Sequence, residues 1–223
     1  ANIHERYFVN FADAPVLTIP VPSILFRFGK RVDDEQLVAQ GAWFAEHGKL
    51  SEKGFGDSVA RQLPALFTSE ELFRTSGEQP LPRDAWFPDL EVAMARIKEG
   101  SAEGFFVAAK GGTNAESPNH NDVGNFVVFT EGKPLLIDTG VEPYTAKNSS
   151  PQRYDIWTMN SNHHNLPEVN GQTQQPGFEF AAKEVTYEHS EDRMMFTLDI
   201  SDAYPSAAGL ESWTVSYTHL RAP

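Results

Sequence analysis

The apolar residues of this 223-residue chain change their spacing near residue 80, which limits the fold to a helical part followed by a β part. Before the change, Asp33, Asp34 and Glu35 favour a helix amino terminus, Leu37, Val38, Ala42 and Phe44 supply apolar positions, and Gly48 ends the run. A second helix is predicted near Ser58 to Phe67. A third is predicted from Ser69, where Ser-Glu-Glu-Leu is a capping sequence ahead of Leu72 and Phe73. From Ser76 to Arg83 the composition turns to Gly, Gln and the prolines Pro80 and Pro82, as in a connector. Beyond it, strands are predicted at Gly104–Ala109, Asn125–Thr130 and Pro134–Asp138, with Glu131-Gly132 as the turn between the last two. A further hairpin is expected from Phe178–His189 and Arg193–Ile200 about Ser190-Glu191-Asp192, and another strand begins at Trp213. The expected class is α+β, with helices over residues 1–78, a mostly antiparallel β domain over 79–216 and a non-native tail over 217–223, where His219 and Arg221 carry no functional weight.

At 40% hydrophobic residues the chain can bury a core. No stretch approaches the roughly 18–20 apolar residues of a membrane span. The start lacks both an initiator Met and a signal pattern, so a fragment is expected. With no cysteine, a metal must sit on imidazoles and carboxylates. A net charge of -13 argues against a nucleic-acid partner, and an enzyme of polyanions with this charge needs a locally basic cleft.

The densest polar run, from Asn114 to Phe126, lacks strand alternation and is predicted as a loop entering the strand Asn125–Thr130. Asp138 ends the apolar strand Leu135-Leu136-Ile137, and hairpin pairing about Glu131-Gly132 brings it toward the loop that carries His120. Ser161-Asn162-His163-His164-Asn165 offers two adjacent imidazoles. Two His and one Asp from separate loops form a common ligand set for Zn²⁺ with a position left for water or substrate. On spacing alone the same residues also read as hydrogen-bonding loop residues, a turn-capping Asp and surface histidines.

Phe105 to Asn125, with Ala-Ala-Lys-Gly-Gly, Asn-Ala-Glu-Ser and Asn-His-Asn-Asp-Val-Gly-Asn-Phe, resembles the signature of heparinase II/III-type polysaccharide lyases. The likeness continues through Leu136–Gly140, Tyr144-Thr145, Arg153-Tyr154 and His164-Asn165-Leu166, and back to Tyr7–Ala14 and Arg27–Lys30. It implies the last helices of an incomplete α/α toroid followed by an antiparallel β-sandwich, with an acidic-polysaccharide cleft between them. It also implies a periplasmic or secreted location. Carried over by motif, His120, Asp138 and His164 fall on the metal ligands, usually Zn²⁺ in a structural role, with His163 the adjacent alternative to His164.

A lyase removes the proton on C5 of a uronic acid, neutralises the adjacent carboxylate and protonates the departing C4 oxygen; tyrosine suits the proton transfers. The resemblance implies that one catalytic Tyr and the neutralising Asn or His come from the toroid upstream. Here Tyr154 and Tyr144 are the candidates, with Tyr154 favoured because the Arg153 cation beside it supports a phenolate. Many relatives carry a His two residues before the metal-ligand His, where this chain has Pro118; either another residue, Asn119 or Asn121, takes that role or activity is reduced. Asn114, Glu116, Asn121 and Arg153 are candidate substrate contacts. Two other readings stay open: a non-catalytic carbohydrate-binding β domain, and a metal-dependent hydrolase. Oligomeric state is not legible.

Overall fold

The computed structural model describes residues 1–18, 20–48 and 58–221. Helix α1 (Pro22–Val32) opens on a proline, whose missing N–H is no loss at that position, and ends at Asp33 in the left-handed conformation. Asp34 caps α2 (Glu35–His47), its carboxylate accepting from the Leu37 N–H at 3.0 Å. The two helices approach closely because Gly41 has no side chain; a Cβ there would lie 2.7 Å from the Phe26 backbone nitrogen. Phe26, Ala45 and Leu72, the last from α3 (Val59–Arg74), form a small core between the helices.

Two expectations change here. The helices predicted at Ser58 and Ser69 are one continuous α3, because the Ser69 hydroxyl donates back to the Leu66 carbonyl at 2.7 Å and leaves the helix unbroken. Helix α1 was not foreseen; Ile24, Phe28 and Val32 form one exposed apolar stripe along it, while Phe26 and Gly29 are buried on another face.

The β part contains an antiparallel five-stranded sheet. Its strands are β3 (Asp84–Phe87), β4 (Val92–Arg96), β5 (Phe105–Lys110), β7 (Phe126–Thr130) and β8 (Lys133–Leu136), in that spatial order. β6 (Thr113–Asn114) lies outside it. β7 and β8 form the expected hairpin: Thr130 faces Lys133, and Glu131 and Gly132 both have positive φ, 50° and 69°, as a tight two-residue turn requires. A three-stranded antiparallel sheet joins β10 (Lys183–His189), β11 (Arg193–Asp199) and β12 (Thr214–Leu220). The arm expected as one strand from Phe178 is divided: β9 (Gly177–Ala181) pairs with β6, and β10 pairs with β11 after a register shift near Glu184, which has positive φ.

The two larger sheets share one core. Ala93, Ala95 and Ala109 of the five-stranded sheet meet Met194, Phe196 and Leu198 of β11, and the Trp86 and Tyr187 rings stack across the interface at 5.1 Å. The opposite face of the five-stranded sheet, with Met94, Phe106, Ala108, Val127 and Phe129, is covered by the amino-terminal segment through Ile3, Val9, Phe11 and Val16. β1 (Asn2–His4) and β2 (Tyr7–Phe8) run in that segment. Buried Arg96 ties it down, donating to the carbonyls of Asn2, Ile3, Pro82 and Ser101 at 2.9–3.1 Å.

The stretch from Ser76 to Arg83 has no regular structure, but the first residues lie on the β-sheet, with Phe8 also stacking on Phe44 of α2. The segment expected as a tail is also part of the fold. Tyr217–Leu220 completes β12, with Tyr217 opposite Phe196, and alternation buries His219 while Leu220 faces outward. Residues 222 and 223 of that segment lie outside the described residues. Among the described residues no helix is long and apolar enough to cross a membrane.

Candidate functional site

The loop joining β5 to β7 is held from inside by amides. Asn114 accepts from the Asp122 N–H at 3.1 Å and donates to the Gln174 side chain at 3.1 Å, while Gln174 accepts from the Val123 N–H and donates to its carbonyl. Asn121 donates to the Gln174 carbonyl at 3.3 Å. Asn114 and Asn121 are 1% and 2% exposed, so these two expected substrate contacts are internal loop braces instead. Lys110, also buried, anchors the loop by charge, its Nζ 2.8 Å from Asp122 Oδ1 and 3.3 Å from Glu116 Oε2. Burial pushes the ammonium down, but the two carboxylates outweigh it and hold its pKa above the ordinary value.

This bracing turns His120 inward toward two other loops. Asp138 follows β8; its carboxylate accepts from the Gly140 N–H at 2.7 Å and from Asn125 Nδ2 at 2.5 Å. His164 ends a series of short 3₁₀ turns between Arg153 and His163. One donor atom from each of His120, Asp138 and His164 lies within 4.8 Å of the others, and all three residues are buried. His163 is exposed and packs against the Trp157 ring, so the geometry selects His164 of the adjacent pair.

The donor set fits a cation. His164 Nε2 lies 3.1 Å from the Thr158 carbonyl, which takes its N–H and leaves Nδ1 facing the Asp138 carboxylate at 3.0 Å. Two acceptors at that distance need a proton or a metal ion between them. Burial lowers the His164 pKa, but the hydrogen bond to Asp138 and the charges of Asp122 and Asp138 outweigh it and raise it. His120 Nδ1 is buried without a partner, while Nε2 meets Asp13 Oδ1 at 2.9 Å. Burial is the main reason that the His120 pKa is lowered, which keeps this imidazole neutral and able to ligate.

Beside this cluster opens a cleft of about 320 Å³ lined by Asp13, Glu116, Pro118, Asn119, Tyr144 and Tyr154, among others. Asn119 Nδ2 donates to the Tyr154 hydroxyl oxygen at 3.0 Å and to the Asn114 carbonyl at 2.9 Å. Tyr144 donates its hydroxyl to Asp13, and that hydrogen bond first, then burial, raises its pKa. Arg153 also lines the cleft, but its charge is directed at Asp13, 3.0 and 3.1 Å from the two carboxylate oxygens, and not at Tyr154 as expected. The partner that the structure gives the Tyr154 hydroxyl is the Asn119 amide. With Asp13 and Glu116 against one Arg153, this cleft wall lacks the local basic character that the net charge called for.

Asp13 is the site residue that the sequence reading missed as such. Its three partners are 107 to 140 residues away along the chain, and the sole signal was its place in the family-like stretch Tyr7–Ala14. Burial pushes its carboxyl up, but hydrogen bonds from Tyr144, Arg153 and His120 outweigh that and hold it below the ordinary range.

No family model matches the chain, and no curated protein matches it in sequence. Solved structures do match in fold. The chain is similar to a mutant of heparan sulfate lyase HepC from Pedobacter heparinus, with a TM-score of 0.63 and 14% identity over 96% of this chain and 28% of that one. HepC itself from the same organism gives 0.58 and 15% over 88% and 26%, and heparinase III gives 0.54 and 13% over 89% and 27%. The chain thus spans little more than a quarter of these enzymes. The likeness that the motifs suggested is also the likeness of the backbone: nearly the whole chain shares the fold of a part of the heparan sulfate lyases.

Proposed function

We propose that this chain is part of a polysaccharide lyase that cleaves uronic-acid-containing polymers, of glycosaminoglycan or alginate type, by β-elimination. In this reading the helices are the last of an incomplete α/α toroid and the two packed sheets are the β-sandwich that faces it. The observation that carries the reading is the Tyr154 hydroxyl in the cleft wall, held by Asn119, the neighbour of His120, in a fold shared with heparan sulfate lyases.

His120, Asp138 and His164 would hold a Zn²⁺ ion, which would tie three loops together. Burial of all three residues favours that structural role over activation of a water, and so disfavours the hydrolase reading. The Asn119 amide fixes the Tyr154 oxygen beside the substrate path. From there the hydroxyl can give its proton to the leaving C4 oxygen, and the phenolate so left can take up the proton from C5. Tyr144 is less suited, since its proton is committed to Asp13. Pro118 lies in the same wall and cannot transfer a proton, so Asn119 fills the place of the family His by positioning rather than by acid–base work. The cations that an acidic polymer needs come, in this reading, from the helical side of the cleft, upstream. The place of action is the periplasm or the outside of the cell.

The full-length protein, incubated with heparan sulfate, chondroitin sulfate, hyaluronan and alginate, is expected to produce the ultraviolet absorbance of an unsaturated uronate on at least one. Binding without any such signal across the panel supports a non-catalytic carbohydrate-binding domain instead, the reading that Pro118 favours.

A further inference from the structure

The amino-terminal segment reaches the site through one side chain. Asp13 Oδ1 meets His120 Nε2 at 2.9 Å and Arg153 Nη2 at 3.0 Å; Oδ2 meets the same Nη2 at 3.1 Å and accepts from Tyr144. The side chain is 5% exposed, and the segment behind it is fastened to the sheet by Arg96 and by apolar contacts of Phe11 and Val16. The carboxylate is therefore delivered from the far side of the five-stranded sheet to a fixed place. It takes one imidazole nitrogen of His120, and the other, Nδ1, is the buried atom without a partner. A carboxylate on one ring nitrogen leaves the opposite nitrogen as the lone pair and fixes the ring plane.

We infer that Asp13 is a positioning residue that sets His120 with Nδ1 toward the cation position while holding Arg153 and Tyr144 in the cleft wall. The metal cluster and the cleft then share one carboxylate. The inference rests on the proposal that His120, Asp138 and His164 hold a metal ion, and it goes beyond that proposal in assigning the residue that orients a ligand from outside the triad. Arg153, read from sequence as a substrate contact, is in this arrangement the counter-charge that holds Asp13 in place.

The test uses the full-length protein and Zn²⁺ alone, with affinity measured by competition against a chromophoric chelator. Asp13→Asn, near-isosteric, is expected to weaken zinc binding by about 10- to 100-fold. Asp13→Glu is expected to recover part of the loss. Asp13→Asn protein that is folded by circular dichroism and binds zinc as tightly as wild type overturns the inference. A wild-type protein that binds no zinc removes instead the metal reading beneath it, so the two failures are distinct. If Asp13→Asn does not fold, the imidazole nitrogen shifts of His120 in metal-free wild type decide. The Nε2–H tautomer is expected, and a proton resident on Nδ1 overturns the assignment.

Discussion

Lys110→Met is expected to lower the unfolding free energy by about 3–5 kcal/mol, the range for breaking a buried ion pair from one side. For a chain of this size that is a drop in melting temperature of roughly 6–20 °C, at about 2–4 °C per kcal/mol. The reason is local. Asp122 is fully buried, one of its carboxylate oxygens has no partner at all, and the other depends on the Lys110 ammonium at 2.8 Å. Methionine fills the volume but leaves that carboxylate uncompensated. Adding Asp122→Asn to the variant should return part of the loss, because the buried charge is then gone as well. The ammonium pKa is higher folded than unfolded, so the contribution of Lys110 is complete below its ordinary 10.5. It is lost as pH rises through the higher folded value, and wild type and variant should converge only in that alkaline range. Differential scanning calorimetry of both proteins checks the size and the pH course; a shift under 2 °C at neutral pH contradicts the role given to this lysine.

On the proposed lyase reading, Tyr154→Phe in the full-length protein should reduce kcat by about 10²- to 10⁴-fold with little change in KM, as for loss of a group that moves a proton in the transition state. Stability should hardly change. Asn119 Nδ2 keeps two acceptors for its two N–H groups, the Asn114 carbonyl at 2.9 Å and Asn121 Oδ1 at 3.5 Å, so removal of the phenolic oxygen leaves neither donor without one. Tyr144→Phe is the natural comparison: the residue is 62% exposed and its hydroxyl serves Asp13, so a loss within about tenfold is expected. Initial rates of double-bond formation separate the two. Full activity in Tyr154→Phe together with collapse in Tyr144→Phe would reverse the assignment.

What could be read without coordinates divides along the range of the interactions. Asp34 capping α2 and the turn at Glu131-Gly132 are written in neighbouring residues and formed as expected, whereas the strand expected to reach Asp138 stops at Leu136. His120, Asp138 and His164 were reachable because hairpin pairing brings the first two together and the motif likeness adds the third. Asn114 and Asn121 misled because a polar loop reads as exposed; Gln174, more than fifty residues on, turns that loop inward and uses both amides. Arg153 was paired by sequence adjacency with Tyr154, whereas its guanidinium reaches residue 13 across the chain. Ser69 kept its capping sequence but lost the cap, since the preceding turn of α3 already supplied a carbonyl for its hydroxyl.

Three side chains converging on one cation is the claim that fixes the cleft, and metal analysis of the purified full-length protein addresses it without reference to any substrate. Tightly bound zinc near one equivalent per chain is predicted, falling to background in His164→Ala and in Asp138→Asn. A wild-type protein with no bound metal, or variants that keep the full equivalent, would contradict it.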